Sequence, residues 1–157
     1  MESQKISGLC EYTAGVKDID EILGNQNFFT VKPLVNFKYH PEGIGISIMH
    51  NFKLHYICLK NSDIKTISLE RGQVIDIEGR SVIGRAIAGG LLLGPLGAII
   101  GGASGMKDKI LKENDSLLIV VKNEDKEQAL LFSIKKGKAN EVFKFFKENY
   151  NSFFNIN

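Results

Sequence analysis

Between Arg85 and Lys107 run 21 residues without a charge, AIAGGLLLGPLGAIIGGASGM. Seven of them are glycine. In a helix each glycine costs about 1 kcal/mol relative to alanine, roughly 7 kcal/mol together, so an isolated helix in water would not form. The stretch is stable only where something packs flush against it: lipid, a sister copy or the rest of its own fold. Gly90, Gly94, Gly97, Gly101 and Gly105 fall at i, i+4, i+7, i+11 and i+15. On a helix they form one ridge without side chains, along which another backbone can approach closely. Leu92, Leu96 and Ile100 lie among the aliphatic residues that cover the remaining surface. The seven Leu and Ile side chains contribute only about −2 to −4 kcal/mol at a bilayer centre, so insertion of one copy is marginal.

The surrounding sequence has strand character, which restricts the path of this segment. A straight helix of this length would separate its ends by about 30 Å and split the domain across a membrane. Gly94-Pro95 sits near the middle, where a helix breaks. Two arms of about 14 Å each are too short to cross a hydrocarbon core, so the spacing predicts a helical hairpin that leaves and returns on one side. Arg80 and Arg85 precede it, and Lys107 and Lys109 follow. Both mouths are basic, as expected of groups facing anionic headgroups or the cytoplasm.

Elsewhere the periodicity predicts a short helix over Lys17–Leu23, then strands over 33–39, 44–49, 52–58, 64–69, 74–77, 117–121 and 129–134. Ile44, Ile46 and Ile48 alternate with Gly45, Ser47 and Met49, and Phe52, Leu54, Tyr56 and Cys58 share a face of the third strand. His50-Asn51 is read as the turn between these two strands. Ala139, Val142, Phe143, Phe146, Tyr150 and Phe153 form an apolar stripe on a C-terminal helix. Phe145 and Phe154 lie off that stripe and are the better candidates among these rings for contact with a partner, beside the plainer reading of core packing. Seven strands and one amphipathic helix make a mostly β domain, a partly open barrel plugged at one end by the helix. A single domain over 1–157 is expected, with the hairpin at 81–106 inserted between the fifth and sixth predicted strands.

This order of elements, from about Asn27 to Phe154, resembles the pleckstrin-homology-like (PH-like) superfamily and its GRAM-type bacterial branch. The phrase GRAIAGGLLLGPLGAIIGGASG is similar to the glycine-zipper insert of bacterial PH-like proteins of unknown function. The resemblance implies a seven-stranded barrel with a capping helix.

The other residues narrow the function. With 20 basic and 18 acidic side chains, the net charge of +2 calls for no nucleic-acid partner. The two cysteines, Cys10 and Cys58, have neither disulfide-framework nor zinc spacing, which suits free thiols in a reducing cytoplasm. No basic and apolar leader opens the sequence, so no signal peptide is expected. Richness in Ile, Lys and Asn fits a low-GC bacterial or phage genome. Scattered His40, His50 and His55 suit no metal, and no nucleophile motif, P-loop or dinucleotide fingerprint is present. A non-enzymatic module without cofactor or metal is expected. Its partners are identical copies, membrane lipid on the cytoplasmic face, or both. The alternative is a soluble binding protein of phage or prophage type that engages a host protein or ligand through its barrel surface.

Overall fold

A computed structural model describes residues 4–24, 32–70, 74–76, 109–111, 115–123 and 126–156. The strands are β1 (Lys5–Ala14), β2 (Leu34–His40), β3 (Gly43–His50), β4 (Lys53–Lys60), β5 (Ile64–Glu70), β6 (Val74–Asp76), β7 (Lys109–Leu111), β8 (Ser116–Asn123), β9 (Lys126–Ile134) and β10 (Phe154–Ile156). Helix α1 spans Lys17–Gly24 and α2 spans Ala139–Tyr150, followed by a 3-10 turn over Asn151–Phe153.

The main sheet runs β10-β5-β8-β9-β1-β2-β3-β4, and β6 and β7 form a separate pair. Apart from the parallel β10, its seven strands are antiparallel, and the sheet is not closed. Seven strands are present as the periodicity predicts, but they are not the same seven. The predicted strand at 74–77 pairs outside the sheet, and its place is taken by β1, which the alternation did not reveal. Two register shifts explain this, between Ser7 and Cys10 against β2 and between Tyr12 and Ala14 against β9. Each inserted residue breaks the period of two on which strand reading rests. The strand missed is the one that joins the two halves of the sheet.

Alternation sets the inner face. Val35 and Phe37 of β2 face Ile48 and Ile46 of β3, which in turn face His55 and Ile57 of β4. Leu117, Ile119 and Val121 of β8 and Leu130, Phe132 and Ile134 of β9 complete the core. Leu118, Val120, Ala129 and Leu131 are buried as well, so β8 over 117–121 and β9 over 129–134 are dry on both faces. That is why β8 reads as the unbroken apolar run LLIVV.

Helix α2 covers this core with Ala139, Val142, Phe145, Phe146 and Tyr150. Phe146 sits between Phe37, at 5.3 Å in an edge contact, and Phe145, at 5.1 Å. Phe145 is therefore core and not a candidate for partner contact. The buried arc is wide enough to include i+6 as well as i+7, and Phe143 is shifted to its rim. Phe154 is packed too. It lies 5.5 Å from Phe143, stacks at 6.4 Å on Phe146, and begins the parallel pairing of β10 with β5. The helix also stops at Tyr150, so Phe153 belongs to the turn that feeds β10.

Two polar knots fix the ends. The Tyr12 hydroxyl donates to Asp20 Oδ1 at 2.6 Å and accepts the Val16 N–H at 2.6 Å, while Gly15 N–H donates to Asp20 Oδ2 at 3.0 Å. Asp20 therefore ties α1 back to β1. At the other end, the Tyr150 hydroxyl donates to the Gly43 carbonyl at 2.9 Å and pins α2 to β3.

Burial pushes the Tyr150 phenol up to about 12, and burial, aided by the neighbouring Glu11 charge, pushes the Cys10 thiol up to about 12. Both groups are neutral when protonated, so the folded state holds these protons more tightly than the unfolded chain. Their contribution is intact below about pH 9 and is lost as pH rises from there toward 12, at up to about 1.4 kcal/mol per pH unit per group. The urea midpoint is therefore expected to fall across pH 9 to 11. Cys10→Ala should flatten the lower part of that slope, since the thiol begins to titrate first in the unfolded chain.

Candidate functional site

Two places on the described residues have the chemistry of a recognition surface. The first is the base of the glycine-rich segment. The β5–β8 ladder ends at Glu70 opposite Ser116, and beyond it Val74, Ile75 and Asp76 pair with Leu111, Ile110 and Lys109. Facing residues in an antiparallel ladder have their Cα atoms only about 5 Å apart. Asp76 and Lys109 thus hold the two ends of the intervening chain side by side, and whatever leaves after Asp76 must return to it. Lys109, predicted to face headgroups, stands at this register position in β7. The other predicted positions, Gly90, Gly94, Gly97, Gly101, Gly105, Leu92, Leu96, Ile100, Arg80, Arg85 and Lys107, lie outside the described residues, as does the predicted helical hairpin at 81–106.

The second place was not expected. Leu34, Met49, Phe52, Leu54 and Tyr56 are large apolar side chains exposed by 40, 49, 106, 42 and 77%. Register gathers them: Leu34 faces Met49, and Met49 faces Leu54. Tyr56 follows two residues along β4, on the same face. The periodicity correctly put Leu54, Tyr56 and Cys58 on one face, but that face is the outer one. The core takes Leu59 and packs Ile57 against it. Both faces of β4 are apolar, so alternation could not say which was inside. The turn also shifts by one residue from its predicted position. Asn51 and Phe52 are its central pair, at φ 46° and 60°. Two positive φ values suit the right-handed twist of a two-residue hairpin. For phenylalanine this is a strained conformation.

Other features are structural. The depression beside α2 is lined by Phe143, Lys144, Lys147, Glu148 and Asn151. Its polar groups are engaged locally, with Lys147 lying 5.3 Å over the Phe143 ring and Lys144 reaching Glu148 at 3.9 Å. Among the described residues no three His, Cys, Asp or Glu side chains come together as metal ligands. Among them, too, no helix is long and apolar enough to cross a membrane, which says nothing of strands.

An open sheet of seven antiparallel strands with a C-terminal helix laid over its inner face is a PH-like domain, a class whose members generally mediate protein or lipid interactions and are typically non-catalytic. The chain matches the family described as "Glycine zipper containing PH domain" over residues 35–135, and it belongs to that family. The match runs from β2 to the end of β9, so β1 and α2 complete the fold outside it. No curated protein matches the chain. A PH-like domain carrying a glycine zipper has the build of a binding or association module.

Proposed function

We propose that this protein is a non-enzymatic association module. Its PH-like sheet serves as a base that presents the hydrophobic segment 81–106 to a lipid surface and to the same segment of identical neighbours. The observation that carries this reading is the β6–β7 ladder, which sets Asp76 opposite Lys109. An uncharged stretch tethered at both ends to one point can dip into a membrane from one side without dividing its own domain. Arg80, Arg85, Lys107 and Lys109 then stand beside anionic headgroups on the cytoplasmic face, each worth about 1 kcal/mol near such a surface. Because one copy inserts only marginally, copies packed along Gly90, Gly94, Gly97, Gly101 and Gly105 share the cost of ordering the segment.

The test is co-sedimentation with phosphatidylglycerol vesicles. The full chain is expected to pellet, and Gly97→Leu with Gly101→Leu, or deletion of residues 86–105, to reduce the pelleted fraction about tenfold or more while the melting transition is kept. Equal pelleting by all three proteins would sink the proposal. A second reading has its own support in the exposed apolar face of β2, β3 and β4, through which the sheet itself would engage a protein. A chain that ignores vesicles yet forms a specific protein complex would favour it.

A further inference from the structure

We propose that β4 is a dimerisation edge, pairing antiparallel with β4 of a second copy of this chain and extending the apolar outer face across both molecules. This goes beyond the glycine-rich segment and does not depend on it.

β4 is the last strand of its sheet, and among the described residues no strand bonds to its outer edge. The His50–Lys53 pair closes the two-residue turn and is a hydrogen-bonded pair. Alternation from there turns the backbone N–H and C=O of Leu54, Tyr56 and Cys58 away from β3, toward the open edge. Natural edge strands are usually guarded by a central charge, a proline or a bulge. Here the sequence is KLHYICLK, with its lysines at the two ends, no formally charged residue between them, no proline and an unbroken register with β3.

The strand also complements itself. Pairing must keep outward side chains opposite outward ones, because a slip by one residue would exchange the two faces. Two antiparallel self-pairings of equal length meet this condition, centred on Tyr56 and on Ile57, and we take the first, which sets the exposed Tyr56 ring opposite Tyr56 of the other copy on the twofold axis. Leu54 then faces Cys58, and Lys60 lies across from Phe52, a cation beside a fully exposed ring. The two lysines of each strand are not directly opposed.

The edge also borders an exposed apolar face that pairing would make continuous between the two molecules. Phe52 and Tyr56 leave about 350 Å² of ring in water. With Leu34, Met49 and Leu54 the patch reaches about 550 Å², at the upper end of what ordinary monomers expose. Edge pairing lays the two patches side by side in one continuous face of about 1,100 Å², well above the few hundred Å² that a monomer ordinarily exposes. The strained φ of Phe52 points the same way. Glycine would relax the turn but would remove the ring from the patch. A backbone outlier that displays an apolar side chain is a reason to look for a partner there.

The test uses the full chain without lipid, in the Gly97→Leu, Gly101→Leu background, so that association through the glycine-rich segment cannot substitute. Sedimentation equilibrium is expected to show a monomer–dimer equilibrium in the micromolar range. Tyr56→Glu, which sets like charges opposite each other, should weaken it by about tenfold or more. Phe52→Gly should also weaken the dimer while raising the thermal midpoint of the monomer, which separates a binding role from a folding role. Tyr56→Cys with Cys58→Ser should form an interchain disulfide with glutathione disulfide, since facing Cα atoms about 5.5 Å apart suit the bond. Ser62→Cys with Cys58→Ser, one turn beyond the strand, should not. A background protein that stays monomeric at 100 μM, a dimer indifferent to both Tyr56→Glu and Phe52→Gly, or equal cross-linking at 56 and 62 would overturn the proposal. (The concentration is about a hundredfold above a micromolar Kd.)

Discussion

Phe146→Ala is expected to cost about 3–5 kcal/mol of folding stability, and to lower the melting temperature on the order of 10–15 °C. Phe146 is fully buried and is the residue through which α2 meets the sheet. Its ring touches Phe37 on β2, Phe145 and Tyr150 on its own helix, and Phe154 at the start of β10. Phe37 passes the contact on to Phe132 at 5.1 Å, which meets Tyr12 at 6.2 Å. Truncation opens a cavity at the junction of three elements that are held in place by other contacts and so collapse poorly into it. Urea denaturation should show a lower midpoint with an unchanged slope. Phe143→Ala, at the half-buried rim of the same helix, should cost about 1 kcal/mol. Comparable losses from the two would mean that the helix is not docked through Phe146.

Gly43→Ala should be nearly as severe, at about 3 kcal/mol or more. A Cβ at this position would stand 1.9 Å from the Leu59 carbonyl oxygen and 2.9 Å from its carbon. Both are backbone atoms of the neighbouring strand, so relief requires β3 and β4 to part. The same shift would disturb the Gly43 carbonyl, which accepts the Tyr150 hydroxyl and anchors α2. Gly45 provides the control. A Cβ there meets the His40 imidazole at 3.1 Å, the movable end of a side chain, and Gly45→Ala should cost under about 1 kcal/mol. The difference between the two substitutions, read by urea denaturation, isolates backbone approach from the loss of glycine as such. Equal effects would show that strand flexibility rather than the Leu59 carbonyl sets the requirement.

Legibility of the fold in the sequence follows how local each signal is. Ile44, Ile46 and Ile48 alternate because only one side of β3 is dry, and they were readable without any knowledge of neighbours. Val142, Phe146 and Tyr150 were readable on the helix for the same reason. The inward turn of Phe145 was not, because the width of the buried arc depends on how deeply α2 sits in the sheet. β1 was hidden by its bulges, which erase periodicity while leaving pairing intact.

The candidate site divides in the same way. By itself, the sequence set apart the uncharged glycine run, since glycine lowers helix stability wherever it stands and such a run forms a helix only where something packs against it. It also determined most of the strands of the sheet and the apolar helix that covers it. Only the tertiary structure decided which face of β4 meets water, because Leu54 and Tyr56 are no less apolar than Ile57 and Leu59. Only pairing between distant strands brought Asp76 beside Lys109 and gathered Leu34, Met49 and Leu54 into one row. The physical reason is that hydrophobic pattern records whether a side chain can be buried, whereas burial itself depends on what the rest of the chain places over it.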